Sequence, residues 1–81
     1  MSNPSRFSDH EIIKGLRSLR ERFVDEPFGM VDSKKHFCRV MSNNRASEYV
    51  TAVFGYAMSL NLFEPVYVDD RNKFYFKGEC P

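Results

Sequence analysis

The chain has few cysteines, no excess of either charge and no long apolar run, and each absence excludes a class of protein. Two cysteines, Cys38 and Cys80, are too few for the disulfide framework of a small secreted domain, so a reducing compartment is expected. A single disulfide bond between these two cysteines is the alternative. The longest stretch without a charge spans fifteen residues, 49–63. A helix needs roughly 20 apolar residues to span a membrane, so this segment is expected to be a buried helix.

The first ten residues contain no apolar stretch of the kind that a secretory signal requires. A cytoplasmic or nuclear location is therefore expected. Twelve Lys and Arg against eleven Asp and Glu give a net charge of +1, which offers no bulk attraction to nucleic acid or membrane. In 81 residues, 42% apolar and 15% aromatic content is enough for one packed core. We expect one domain at 8–77, between a disordered N-terminal tail at 1–7 and a C-terminal tail at 78–81.

A first helix is predicted from a local capping signal. Ser8 followed by Glu11 has the spacing of a capping box, in which the hydroxyl and the carboxylate each accept a backbone N–H. Apolar residues then recur at three- and four-residue steps for about four turns. Pro27 and Gly29 end this pattern because proline disfavours helix before it and glycine permits a turn.

Two more helices are predicted before residue 62. A very short strand at 30–31 should precede a second helix, capped by Asp32 or Ser33. A third helix is expected over residues 46–61, apolar over much of its circumference. A glycine in a helix interior costs about 1 kcal/mol relative to alanine, so Gly55 predicts that another backbone packs closely against this helix.

The period then changes from helical to alternating, which predicts a β-hairpin with strands at 62–68 and 73–77. Two-residue parity is expected to place Tyr67 and Tyr75 on one face of the hairpin. The other face, toward the helices, should carry Val66, Val68, Phe74 and Phe76. This order of elements predicts an α+β, winged-helix-like fold, with a three-helix core, a C-terminal β-hairpin and a third short strand from residues 30–31.

Short matches to a known pattern run through residues 28–77. The matching positions are Phe28, Gly29, Val31, Asp32, Arg45, Ala46, the segment LFEPV at 62–66 and the segment FYF at 74–76. In this order they resemble the DEP domain, a winged-helix module of signalling adaptors. Its Trp-Leu pair is replaced here by Ser33 and Lys34, its Gly before the wing by Asn61, and its basic arm is cut to residues 25–27. The resemblance implies a non-catalytic adaptor that recruits a regulatory protein to a receptor, a complex or an anionic membrane.

Positive charge is concentrated in the first 45 residues, where nine Lys and Arg against six Asp and Glu give +3. The remaining residues sum to −2. Four basic residues of the first two helices are predicted to form an anion- or membrane-contacting face: Arg17, Lys34, Lys35 and Arg39. The alternative is an ordinary solvated helix surface. Residues 46–61 contain no Lys or Arg, so the third helix lacks the side chains that read base edges. Nucleic acid would have to use the basic face instead.

Neither catalysis nor a cofactor is indicated by the spacing of reactive residues. No Ser, His and acid, and no Cys and His, have the spacing of a catalytic set, and no glycine-rich phosphate loop occurs. His36 and Cys38 lie two residues apart, so on a helix their side chains point about 200° apart and cannot share a metal ion. Cys38 is expected to be semi-buried.

The hairpin is predicted to be a protein-contact surface. Tyr67 and Tyr75 should stand side by side next to Arg71 and Lys73, and Phe63 should extend the patch. Burial of both tyrosines is the alternative.

The sequence therefore predicts a small protein-binding or adaptor module that uses its hairpin and its basic helical face. The first alternative is a nucleic-acid-binding winged-helix regulator. A second, suited to a chain complete at 81 residues, is a viral or phage-encoded inhibitor that binds a host protein. The partner is most simply another protein, with an anionic membrane or nucleic acid as alternatives, and the oligomeric state is open.

Overall fold

A computed structural model describes residues 7–77. Three helices precede one antiparallel hairpin, in the order α1 (Asp9–Arg22), α2 (Met30–Phe37), α3 (Asn43–Ser59), β1 (Phe63–Val68) and β2 (Arg71–Phe76). The predicted α+β class, with three helices and a C-terminal hairpin, is confirmed. Residues 1–6 and 78–81, which cover most of the expected tails, lie outside the described residues. Phe7, which the sequence analysis placed in the N-terminal tail, is buried.

The capping box of α1 forms as predicted. Ser8 Oγ accepts a hydrogen bond from the Glu11 N–H at 3.2 Å, and Glu11 Oε1 accepts one from the Ser8 N–H at 3.2 Å. Since both groups satisfy backbone donors that a helix start leaves unpaired, the chain enters the helix at this point. The resulting helix has 14 residues, close to the four turns expected.

The expected start of α2 and the expected strand at 30–31 are both wrong. Residues 30–31 form the first turn of α2, because the Asp32 carboxylate accepts the Gly29 N–H at 2.9 Å and caps the helix from inside its first turn. The segment that pairs with the hairpin lies earlier in the chain. Phe28 and Phe74 exchange backbone hydrogen bonds of 2.9 and 2.8 Å as an isolated antiparallel bridge.

The third helix begins three residues earlier than predicted, with Ser42 Oγ accepting the Arg45 N–H at 3.2 Å. The expectation for Gly55 is wrong, since a Cβ built there has no atom within 4 Å. The close approach is at Gly15 instead, where a methyl group would lie 2.8 Å from Tyr49 Cζ. Neither α3 nor any other helix in residues 7–77 has the length and apolar character to cross a membrane.

An aromatic core joins the hairpin to the helices. Phe28 is fully buried, with its ring centroid within about 5 to 6 Å of four other phenylalanine rings. These neighbours are Phe23, Phe54, Phe63 and Phe76. They come from the C-terminus of α1, from α3 and from both strands, so one side chain ties the three parts of the fold together.

The hairpin register differs from the predicted arrangement of its faces. Asp69 and Asp70, at φ 50° and 61°, form a two-residue turn that pairs Val68 with Arg71. An even number of turn residues places odd-numbered residues of β1 on the same face as even-numbered residues of β2. Phe63 therefore shares the core face with Phe74 and Phe76. Val66 and Val68, predicted to join that face, lie on the opposite one.

Candidate functional site

A cavity of about 580 Å³ opens between α1 and the segment that connects α2 to α3. We call it the α1–α2 cavity. Its lining combines aromatic, cationic and neutral polar side chains, namely Phe7, Glu11, Lys14, Gly15, Ser18, His36, Phe37, Arg39, Val40, Met41, Arg45 and Tyr49. The volume lies within the roughly 300 to 1,000 Å³ typical of ligand pockets in proteins.

Three packed and buried rings form the base of the apolar wall of the α1–α2 cavity, and the exposed side chain of Val40 extends this wall. The Tyr49 ring lies 4.9 Å from that of Phe7 and 4.8 Å from that of Phe37, both in edge-to-face geometry. The Tyr49 hydroxyl donates to the Glu11 carbonyl oxygen, which fixes the ring across α1. Burial raises the pKa of Tyr49, and the charge of Glu11 raises it further, so the phenol remains protonated as a donor. Gly15 leaves the space that this ring occupies.

The charges on the α1–α2 cavity are mostly positive. Among the described lining residues, Lys14, Arg39 and Arg45 face one carboxylate, Glu11, which gives a net charge of +2. The Arg45 guanidinium lies over the Phe7 ring, 4.9 Å from its centroid, a cation–π contact that holds it beside the apolar wall. An apolar wall with a cationic rim is complementary to an apolar group carried next to a negative charge.

The structure brings Ser18 and His36 together, a pair that the sequence analysis did not anticipate. Ser18 Oγ and His36 Nε2 share a 2.8 Å hydrogen bond between α1 and α2, and both residues line the α1–α2 cavity. Burial lowers the pKa of His36 below its ordinary value of 6.5, and the charges of Arg39 and Arg22 lower it further. A catalytic triad needs a third group on the other ring nitrogen. Among the described residues, the buried Nδ1 atom has no hydrogen-bond partner.

A second, smaller cavity of about 230 Å³ adjoins the first. We call it the basic cavity. It is lined by Arg22, Phe23, Asp32, Lys35, His36 and Arg39. His36 and Arg39 line both cavities, so the two cavities adjoin at these residues.

The predicted basic face is brought together only in part. Lys35 and Arg39 line the basic cavity, as a shared anion-contacting face requires. Arg17 and Lys34 line neither of the two cavities. Consecutive helix residues point about 100° apart, which separates Lys34 from Lys35.

The predicted hairpin patch is not formed. Tyr67 and Tyr75 are 67% and 37% exposed, but the register places them on opposite faces of the hairpin, so they do not stand side by side. Phe63 is only 3% exposed and belongs to the core, so its side chain cannot extend a surface patch. Lys73 Nζ lies 3.3 Å from Asp32 Oδ2 and ties the hairpin to α2. Arg71 is exposed at the end of the turn.

Cys38 is exposed rather than semi-buried, and its thiol donates to Asn43 Oδ1 at 3.7 Å. The Cys80 end of the proposed bridge lies outside the described residues. Within residues 7–77, no group of three or more His, Cys, Asp or Glu side chains has an arrangement that could hold a metal ion.

No protein-family model, no curated protein and no solved structure matches this chain. The resemblance to the DEP domain therefore stays a prediction. Several cavity residues were missed by the sequence analysis, among them Phe7, Ser18 and Tyr49. For Phe7 a signal was present, since an apolar residue directly before an N-cap is typical of a hydrophobic staple.

Proposed function

We propose that this chain is a non-catalytic protein-binding module that takes an acidic segment of another protein into the α1–α2 cavity. One observation carries the proposal: a concave site of about 580 Å³ has both an aromatic wall and a net charge of +2. Energetically dominant residues of protein interfaces are commonly apolar anchors that fill such concave sites, with charged groups around them.

The hairpin supports the proposal less well than the cavity. A single flat partner surface cannot contact both faces of the ribbon, so Tyr67 and Tyr75 do not form one binding patch. The helical core with a C-terminal hairpin supports the winged-helix-like part of the sequence interpretation. The adaptor role, like the resemblance that implies it, remains part of this proposal.

The proposal can be tested by selecting peptides from a random displayed library on the immobilised chain. We expect enrichment of peptides that place one aromatic or large aliphatic residue among Asp and Glu. A Lys14→Gln, Arg45→Gln double variant should lose this enrichment, because it removes two of the three cavity cations. A Lys34→Gln, Lys77→Gln double variant is the matched control, since it removes the same charge outside both cavities.

Circular dichroism of both variants should show that they remain folded. Equal enrichment on the wild-type chain and on the cavity variant would contradict the proposal. Duplex DNA binding that weakens steeply with added salt and is lost in the cavity variant would instead favour the nucleic-acid alternative. Co-sedimentation with anionic vesicles in place of peptide binding would favour the membrane alternative.

A further inference from the structure

The basic cavity has the composition of a site for a single doubly charged anionic group. Arg22 comes from the last turn of α1, Lys35 from α2 and Arg39 from the turn that follows α2. Within the described lining, one carboxylate, Asp32, faces these three cations, which gives a net charge of +2. A volume of about 230 Å³ is below the range of pockets that enclose whole ligands. It suits one group of a larger partner.

Two acidic side chains beside this cavity, Asp32 and Glu26, are already engaged in ion pairs. The Asp32 carboxylate accepts the Gly29 N–H and pairs with Lys73, so its charge is compensated from the side of the hairpin. Glu26 Oε1 lies 3.6 Å from Arg22 Nη1. The Arg22 side chain is 50% exposed and that of Glu26 is 55% exposed. Exposed i, i+4 pairs are weak, so Arg22 can exchange Glu26 for a stronger anion at little cost.

Phosphate matches this lining better than a carboxylate does. A phosphorylated side chain carries roughly −1.5 to −2 charges at neutral pH and offers three acceptor oxygens. One arginine guanidinium group can donate two parallel hydrogen bonds to two phosphate oxygens. Two of the three cations here are arginines. The charge of a phosphoryl group is therefore close in size to that of the described cavity lining and opposite in sign.

The adjoining α1–α2 cavity shows what accompanies the phosphate. Because His36 and Arg39 line both cavities, a ligand with its phosphate in the basic cavity can extend directly along the aromatic wall of the other. An extended peptide advances about 3.3 Å per residue. A phosphate and an apolar anchor held by two adjoining cavities would therefore be close together in the peptide sequence, in either order.

From this juxtaposition we infer that the acidic segment bound by this chain is a phosphopeptide, with its phosphoryl group in the basic cavity and an apolar side chain in the α1–α2 cavity. The inference rests on the proposed function and adds the chemistry of the ligand. The binding step is non-covalent: the peptide keeps its phosphate, and Arg22, Lys35 and Arg39 donate hydrogen bonds to it.

Three peptide libraries test it, identical in their degenerate flanks and carrying phosphoserine, glutamate or serine at the fixed central position. We expect the phosphoserine library to bind at least about tenfold more tightly than the serine library, with glutamate between them. The enriched phosphopeptides should carry an apolar residue at one preferred position close to the phosphate.

Variants that leave the α1–α2 cavity unchanged separate this inference from the proposed function. Arg22→Gln and Lys35→Gln should each remove most of the preference for phosphoserine. Lys34→Gln, which alters the neighbouring residue outside both cavities, should keep it. Urea unfolding of each variant shows whether a loss of binding reflects a loss of fold.

The possible outcomes separate the phosphopeptide inference from the proposed function. Equal binding of the phosphoserine and serine libraries, with binding still lost in the Lys14→Gln, Arg45→Gln variant, would overturn the phosphopeptide inference and leave the proposed function standing. No binding of any library would overturn the proposed function itself. Inorganic phosphate that competes as well as the peptides, or tighter binding to phosphatidylcholine vesicles containing a phosphoinositide, would also overturn the inference, because the peptide would then contribute nothing.

Discussion

A glycine and a tyrosine pack closely against each other in the site. The Tyr49 ring crosses α1 directly over Gly15, and its hydroxyl donates to the Glu11 carbonyl oxygen one turn earlier. Any Cβ at position 15 would overlap this ring. The absence of a side chain at one helix position therefore decides where the aromatic wall of the α1–α2 cavity lies.

A Gly15→Ala substitution should lower the free energy of unfolding by about 1 to 2 kcal/mol. Alanine is favoured over glycine in a helix interior by about 1 kcal/mol, but a methyl group 2.8 Å from Tyr49 Cζ must displace the ring, and overpacking costs about 1 to 3 kcal/mol. Loss of the Tyr49 hydrogen bond adds to this cost. Urea unfolding followed by circular dichroism measures the difference.

Gly55→Ala is the matched control for this substitution. Gly55 is also in a helix interior, but a Cβ there meets no atom within 4 Å, so only the helix propensity changes. We expect the free energy of unfolding to rise by about 0.5 to 1 kcal/mol. A Gly15→Ala variant as stable as Gly55→Ala would show that the Tyr49 ring does not occupy this space.

Among the elements, α2 and the hairpin meet at one carboxylate. Asp32 accepts the Gly29 N–H at the start of α2 and lies 3.3 Å from Lys73 of β2. Burial alone would raise the pKa of Asp32. The hydrogen bonds from Gly29 and Lys73, with the charges of Lys73 and Lys35, outweigh burial and hold the pKa below its ordinary value of 3.8.

The sign of the resulting pH dependence follows from this lowered pKa. In the unfolded chain Asp32 takes up a proton near its ordinary pKa of 3.8, whereas in the folded chain it does so only at lower pH. Its stabilisation is therefore complete above that ordinary pKa and is lost as pH falls through the folded value. Between about pH 5 and pH 2, the free energy of unfolding of the wild type should fall more steeply than that of Asp32→Asn.

A double-mutant cycle isolates the contact between the two elements. At neutral pH we expect Asp32→Asn to lower the free energy of unfolding by roughly 1 kcal/mol. In a Lys73→Met background the same substitution should cost less, because its partner has already been removed. Strictly additive effects of the two substitutions would contradict the pairing.

The elements that could be predicted from sequence are those specified by local chemistry. Ser8 and Glu11 specify the start of α1 within four residues, so the expected helix formed at the expected place. The predicted start of α2 was too late because that prediction places Asp32 before the helix. Its carboxylate instead caps the helix from within the first turn. The hairpin faces were misassigned because parity was carried across the turn without counting its residues, although the two-residue turn determines the pairing of β1 and β2.

For the whole molecule, the site is a product of tertiary packing. Lys14, Arg39 and Arg45 come from three separate segments of the chain and line one cavity. A local sequence pattern does not show that residues so far apart in the chain lie together. The sequence did predict that Lys35 and Arg39 share one basic face, and both residues line the basic cavity. It could not show that Lys34 is excluded from the cavities, or that a buried Phe63 removes one member of the hairpin patch.

The most direct test of this account is to map the bound surface by nuclear magnetic resonance. A ¹⁵N-labelled chain titrated with a selected acidic peptide should show its largest amide shift changes in residues that line the α1–α2 cavity. These are Lys14, Gly15, Ser18, His36, Arg39 and Arg45. Changes concentrated instead at the hairpin, around Tyr67 and Arg71, with the cavity amides unmoved, would contradict it.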